Sequence, residues 1–157
     1  MTRERLRAVA LIVANPAGEI LTLEEFDAKP ELGKLKGMRS IPMETCEPGE
    51  SYEDTVRRLH YEELAGLPSV LLPGRRIGVY RVVPGAWAQL YATVSATYQL
   101  PVMARGRGVG NHLWESLQKA TEHWLRQGAL EMIRDYAGGL ENVLCRECSQ
   151  PRLPAWV

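Results

Sequence analysis

The first part of the chain alternates between apolar runs and turn residues, a pattern typical of β-structure. Residues 6–13 form an apolar stretch rich in valine and alanine, and residues 19–26 read as a returning strand. Between them lies the segment from Asn15 to Gly18, in which proline fixes φ and glycine tolerates a positive φ. The pattern therefore predicts a β-hairpin.

The best-marked helix of the sequence follows in residues 52–65. Ser51 suits the N-cap, and Asp54 stands three residues later in a capping-box arrangement. At the other end, Gly66 suits the position just after a helix, and Pro68 blocks its continuation.

The rest of the chain predicts further strands followed by C-terminal helices. We expect loops at 28–36 and 101–110, strands at 38–43, 76–83 and 86–98, helices at 116–126 and 129–144, and an irregular tail at 149–157. The glycine pair at 138–139 weakens the prediction of the last helix. This order indicates an α/β or α+β layer pattern in a single domain spanning residues 1–157.

Composition excludes little but favours no macromolecular partner. Nineteen basic and nineteen acidic residues cancel, so no net field draws in nucleic acid or an anionic membrane. Neither a membrane-spanning apolar run nor a signal-peptide pattern is present, and we expect a cytoplasmic protein. Cys145 and Cys148 have the spacing of one of the two cysteine pairs of a zinc site. The sequence has no second pair, so we expect free thiols.

Acidic residues are concentrated at the predicted helix and just before it. Glu62 and Glu63 lie at the edge of its buried face, and Glu44, Glu47 and Glu50 precede it. Clustered carboxylates suit hard cations such as Mg²⁺ or Mn²⁺. The alternative is a solvated helix face in which Arg58 pairs with Glu62 at i, i+4 spacing.

The residues from 47 to 67 resemble the Nudix box. Seven residues separate Glu50 from Arg58, as in that family, and Glu62-Glu63 then fall on its paired glutamates. Residues 6–23 are similar to the family's opening hairpin, and residues 114–125 are similar to its tryptophan-led C-terminal helix. The resemblance implies a Nudix fold, with a central mixed β-sheet between helices, over most of the chain.

The resemblance also implies a chemistry. Members of the family cleave a nucleoside diphosphate linked to another moiety, with Mg²⁺ or Mn²⁺ polarising the phosphate. We therefore expect a nucleotide-like small molecule as ligand. The implied roles are metal binding by Glu50, Glu62 and Glu63, catalysis by Glu62 and Glu63 with weaker candidates in Glu44 and Glu47, and phosphate binding by Arg58.

Four departures from the family pattern bear on that chemistry, although the one at Ala65 needs only a slightly longer helix. Leu59 stands where the family has a glutamate that binds metal and often activates water, and leucine can neither ligate a cation nor accept a proton. Met43-Glu44 replaces a glycine pair, and Ala65 takes the place of the family glycine, with Gly66 one residue late. The segment 100–114 contains no acid. If only the base is missing, a Leu59→Glu change should raise hydrolysis.

Two further features bear on ligand binding. Arg105 and Arg107 lie in a glycine-containing loop that could wrap a phosphate, although a surface loop without this role is the alternative. His60 falls at a position that is usually apolar in the family. We expect a packed, hydrogen-bonded histidine there, since its direction leads toward the sheet and away from Glu62.

The sequence thus predicts a Nudix fold with a degraded catalytic box. It would bind a nucleoside diphosphate-linked ligand, or hydrolyse it weakly, with a divalent cation. The alternative is a catalytically inactive sensor or protein-interaction module. Four tryptophans could contribute to a homodimer interface, although core packing explains most of them.

Overall fold

The computed structural model describes residues 6–72, 74–103 and 107–146, with side chains through residue 139. The strands are β1 (Leu6–Ala14), β2 (Ile20–Glu25), β3 (Arg39–Ser40), β4 (Met43–Thr45), β5 (Arg75–Val83), β6 (Ala86–Val94) and β7 (Val109–Glu115). The helices are α1 (Tyr52–Glu63), α2 (Leu117–Thr121) and α3 (Ala129–Arg146), and a 3₁₀ turn covers Pro30–Leu32. The predicted tail at 149–157, Arg105 and Cys148 lie outside the described residues.

The seven strands of the described residues form one mixed sheet. Its main order is β3-β2-β1-β6-β5, with β4 pairing on β1 and β7 pairing on β2. The central β1 and β6 are parallel over their full length, from Leu6 opposite Ala86 to Ala14 opposite Val94. The predicted opening hairpin is confirmed, because β1 and β2 pair antiparallel around the turn at Asn15 to Gly18.

Helices cover both faces of the sheet, as the Nudix resemblance implied. Alternate residues of β1 point to opposite faces. Val9 and Leu11 pack with Val56 and Leu59 of α1. On the other face, Ala10 and Ile12 belong to the core cluster that includes Met132 and Ile133 of α3.

The predicted boundaries of α1 are nearly correct. The Ser51 hydroxyl accepts a hydrogen bond from the Asp54 amide at 3.1 Å, as expected for an N-cap. The helix ends at Glu63, two residues early, and Leu64 is its C-cap. Ala65 then takes φ of 51° and Gly66 takes φ of 65°, so both residues adopt the left-handed conformation.

The helix predicted at 116–126 is mostly wrong. Residues 109–115, including Trp114, form strand β7, and only Leu117–Thr121 is helical. The reason is that residues 124–126 extend along β3, where the Arg39 amide donates to the Trp124 carbonyl and the Arg126 amide donates to the Arg39 carbonyl, both at 2.9 Å. These tertiary hydrogen bonds override local helix propensity.

Two smaller predictions also need correction. The strand predicted at 38–43 is divided into β3 and β4, and Pro42, which lacks an amide hydrogen, lies between them. The strand predicted at 86–98 ends at Val94. By contrast, the glycine pair at 138–139 does not interrupt α3. Within the described part of the chain, no helix is long and apolar enough to cross a membrane.

Candidate functional site

A cleft of about 240 Å³ opens beside the C-terminal end of α1. Its walls come from five parts of the chain: the segment after β2, strand β4, the last residues of α1, the segment that leads into β7, and the segment that precedes α3. The charged residues in its lining are Asp27, Lys29, Lys34, Glu44, Glu62, Glu63, Arg107 and Arg126. The sequence predicted Glu62, Glu63, Glu44 and Arg107 at a site, and the structure brings these four together.

Arg58 organises the acidic residues around the box. Its Nε and Nη2 donate to the two carboxylate oxygens of Glu50 at 3.0 and 2.9 Å. Its Nη1 lies 3.0 Å from Glu44 and 3.4 Å from Glu62, and Nη2 also donates to the Thr45 carbonyl at 2.6 Å. Because these groups surround the guanidinium, Arg58 holds the loop and helix together, and phosphate binding at Arg58 stays a prediction.

Both carboxylate oxygens of Glu50 accept hydrogen bonds within this network. Hydrogen bonds from Arg58, the Thr55 hydroxyl and the Glu47 amide lower the pKa of Glu50 to about 2. Glu50 does not line the cleft, and both of its oxygens already accept hydrogen bonds. Glu47 is exposed, with an oxygen 4.0 Å from Arg58 Nε.

Glu44 and Glu62 form a like-charged pair on the cleft wall. Burial raises the pKa of Glu44, Arg58 opposes that shift, and the neighbouring Glu62 carboxylate adds to it. Two carboxylates that share one cation are expected to influence each other's pKa in this way. Glu62 is the more accessible of the two, with a side chain 39% exposed.

Glu63 is the most deeply placed acid of the site. Its Oε2 accepts a hydrogen bond from the Met43 amide at 3.0 Å, and its backbone carbonyl accepts one from His112 Nε2 at 2.8 Å. Burial, then the charges of Glu25 and Glu44, raise the pKa of Glu63 well above its usual value, while Arg126 acts in the opposite direction. Among the described residues, the Glu63 side chain therefore has one hydrogen-bond donor, the backbone amide of Met43.

Leu59 lies in the core. It is 0% exposed and belongs to the cluster between α1 and the sheet, together with Val56 and Leu64. A glutamate at this position would place a carboxylate among apolar side chains, where an isolated charge is strongly disfavoured. The structure thus argues against the expectation that Leu59→Glu alone would raise hydrolysis.

A second ion-pair cluster lies where β2 ends beside the cleft. Glu25 is 1% exposed, and its two oxygens lie 3.4 Å from Lys34 Nζ and 3.5 Å from Arg126 Nη1. Arg126 has a side chain only 9% exposed, and among the described residues its Nε has no hydrogen-bond partner. Two cations therefore share one carboxylate through long contacts.

The sequence does not predict Glu25, Lys34 and Arg126 as site residues. The segment 28–36 was predicted only as a loop, and residue 126 was placed at the end of a helix. One signal for Glu25 was available, because Leu21, Leu23 and Glu25 alternate on β2 and all three are buried. No sequence signal connects Arg126 with Glu25, since their contact spans 101 positions.

His60 behaves as expected. Its Nε2 lies 2.8 Å from the Leu67 carbonyl, to which it donates. This hydrogen bond ties the end of α1 to the turn that follows it, and His60 does not line the cleft.

The acidic residues suit a hard cation by chemistry but not by arrangement. Carboxylate oxygens are the ligands that Mg²⁺ prefers. However, Glu50 and Glu62 contact Arg58, and Glu63 accepts from the Met43 amide. Within the described residues, no three His, Cys, Asp or Glu side chains are placed to hold a metal ion together.

Comparison with known families agrees with this geometry. The NUDIX domain model matches residues 4–136, and this chain therefore belongs to the Nudix family. No curated protein matches the sequence significantly.

Solved structures share the fold at low sequence identity. The MutT protein from Methanosarcina mazei Go1 matches with a TM-score of 0.64 and 17% identity over 88% of this chain and 97% of that chain. A C. elegans Ap4A hydrolase in a binary complex matches with a TM-score of 0.60 and 14% identity over 87% and 98%. The NUDIX domain of Shewanella oneidensis NrtR, complexed with ADP ribose, matches with a TM-score of 0.61 and 16% identity over 88% and 90%. At these identities the likeness defines the fold.

Proposed function

We propose that this chain binds a nucleoside diphosphate-linked molecule in the cleft beside α1 and hydrolyses it weakly at most. One observation supports the proposal above the others: four basic side chains line the cleft alongside four acidic ones, while Leu59 is buried in the core. The basic side chains suit a diphosphate. The buried leucine supplies no base for water.

The family provides the class of ligand. One structural relative was solved with ADP ribose and another is an Ap4A hydrolase. Both names describe a nucleoside joined through phosphates to another group, so such molecules are reasonable probes for this cleft. Which of them fits depends on the loops around it.

Any residual hydrolysis would depend on Glu62 and Glu63, with Glu44 and Glu47 as weaker candidates. A divalent cation, Mg²⁺ or Mn²⁺, would supply charge neutralisation at the phosphates when bound. Glu62 would first have to leave Arg58, and Glu63 would have to leave the Met43 amide. The absent base alone corresponds to a loss of about 10²–10⁴ in rate.

Calorimetry and a hydrolysis assay on the purified chain test the proposal. We expect binding of ADP ribose or a dinucleoside polyphosphate, with turnover close to that of a Glu62→Ala, Glu63→Ala double variant. Absence of binding to every such ligand, with and without Mg²⁺, would overturn the proposal. Turnover far above the double variant would show an active hydrolase instead.

An interaction module is the second candidate. It is favoured by Trp124, a large aromatic side chain that is 58% exposed in the described structure, because exposed aromatics are common in interfaces. Sedimentation at several concentrations would reveal a homodimer. A Trp124→Ser variant that dissociates it would support this role.

A further inference from the structure

We infer that the cleft holds the diphosphate directly with Lys29, Lys34, Arg107 and Arg126, so that binding, unlike any hydrolysis, needs no divalent cation. This inference rests on the proposed function and concerns the same cleft. It assigns ligand binding to residues outside the Nudix box.

The acids on one wall of the cleft already contact donors within the protein. Glu44 and Glu62 lie 3.0 and 3.4 Å from Arg58 Nη1. Glu63 accepts a hydrogen bond from the Met43 amide. Each of these three acids therefore already contacts a donor within the protein, and a metal ion would have to compete with that donor.

Two basic residues of the cleft are only loosely paired. Lys34 and Arg126 share the single carboxylate of Glu25, at 3.4 and 3.5 Å. Both contacts are longer than a strong charge-assisted hydrogen bond, which spans about 2.7–2.9 Å. A buried guanidinium that is poorly satisfied costs free energy, so an incoming anion would gain from contact with Arg126.

Lys29 and Arg107 are the other two basic residues that line the cleft. Neither side chain has a hydrogen-bond or ion-pair partner among the described residues. They lie on different segments, one after β2 and one just before β7. Two such cations beside Lys34 and Arg126 provide donors for two adjoining phosphate groups.

Asp27 provides an internal control, because removing its charge should change the binding affinity in the opposite direction. Its carboxylate also lines the cleft and lies against Gly108, where an added Cβ would be 2.7 Å from Oδ2. A carboxylate there repels a diphosphate. Removing its charge should therefore tighten binding, whereas removing a charge from the basic residues should weaken it.

Calorimetry with inorganic pyrophosphate and with ADP ribose, each in excess EDTA and in Mg²⁺, tests the inference. We expect binding in EDTA that is as tight as in Mg²⁺. Lys29→Gln, Lys34→Gln and Arg107→Gln should each weaken it by about tenfold, the equivalent of one lost charged contact. Asp27→Asn should tighten it, and the exposed Arg134→Gln, outside the cleft, is the matched control.

Glu62→Gln separates direct binding from binding through a metal. If the basic residues bind the diphosphate, this variant keeps or improves affinity because a negative charge is lost. If a cation links ligand to protein, it weakens binding, and EDTA abolishes binding to the unmodified chain. That pair of results would overturn the inference and leave the proposed function intact. No binding under either condition would overturn both.

Arg126 needs a separate measurement because it is buried and its removal can unfold the chain. Arg126→Lys keeps the charge but removes the forked donors. We expect weaker binding of pyrophosphate with a circular dichroism spectrum like that of the unmodified protein. Unchanged affinity in this folded variant would restrict Arg126 to a structural role and contradict its place in the inference.

Discussion

Arg58 and Glu50 form a two-pronged ion pair that ties the middle of α1 to the loop before it. Arg58 Nε and Nη2 each donate to a different oxygen of Glu50, at 3.0 and 2.9 Å. This geometry adds orientation as well as energy. It gives Glu50 and Arg58 of the Nudix box a structural role in holding α1 against the preceding loop.

Glu50→Gln should therefore destabilise the fold. The substitution removes the charge but keeps the size, and charged hydrogen bonds are worth about 1.5–3 kcal/mol. We expect a loss of about 2 kcal/mol in the free energy of unfolding, measured by urea denaturation. Asp54→Asn is the control, because its pair with Arg57 is exposed on both sides and should contribute little. Equal effects of the two changes would contradict this assignment.

Leu59→Glu is expected to destabilise rather than restore activity. The side chain is fully buried between α1 and the sheet, and an unpaired buried charge commonly costs about 3 kcal/mol or more. Leu59→Met, which roughly conserves volume, should cost less than about 1.5 kcal/mol. Thermal unfolding compares the two variants. A stable Leu59→Glu protein with Mg²⁺-dependent hydrolysis would show that α1 can rotate to expose position 59.

The sequence was sufficient to predict α1, the hairpin and the Nudix fold because their signals are local. Ser51 caps the helix that its position predicts, and the spacing from Arg58 to Glu63 follows from one continuous helix. The acidic part of the site could be predicted for the same reason. The burial of Leu59 was not predicted, since its environment is set by β1 on the facing sheet.

The basic part of the site could not be predicted because its residues meet only through the fold. Lys34 and Arg126 converge on Glu25 from segments far apart in the chain. Strand β7 was missed for a related reason. Its buried positions include the polar His112 and Glu115, while Leu113 is exposed, so its alternation is the reverse of the usual strand pattern. The Thr22 hydroxyl donates to Glu115 at 2.6 Å, which provides the partner that a buried acid requires.

Ala65→Gly should stabilise the protein. Ala65 has φ of 51° just beyond the C-cap of α1, a conformation that favours glycine because it has no Cβ. We expect a gain of about 1 kcal/mol in the free energy of unfolding. The matched change Gly66→Ala, at φ of 65° with no atom near the added Cβ, should lose a similar amount. A destabilised Ala65→Gly variant would mean that loss of its methyl contacts outweighs the backbone strain.

We expect ionisation of Glu63 to lower the free energy of unfolding as the pH rises from acid to neutral. Its pKa is raised above the ordinary 4.5 by burial and by the charges of Glu25 and Glu44. A carboxyl that binds its proton more tightly in the folded than in the unfolded chain lowers the free energy of unfolding as pH rises past the unfolded value. The contribution of Glu63 is therefore favourable only below about pH 4.5 and becomes a penalty above it.

Glu63→Gln isolates this effect. The amide oxygen can still accept from the Met43 amide, and the buried charge is gone, so the variant should be more stable than the unmodified protein at neutral pH and should match it more closely near pH 4.5. Thermal unfolding in EDTA across this range gives the comparison. Glu50 has the opposite sign, since its pKa of about 2 lies below the ordinary value and its contribution is lost only as the pH falls from 4.5 toward 2. If the difference in stability between the unmodified protein and the Glu63→Gln variant does not grow with pH, Glu63 stays protonated, or is fully compensated by Arg126, across the whole range.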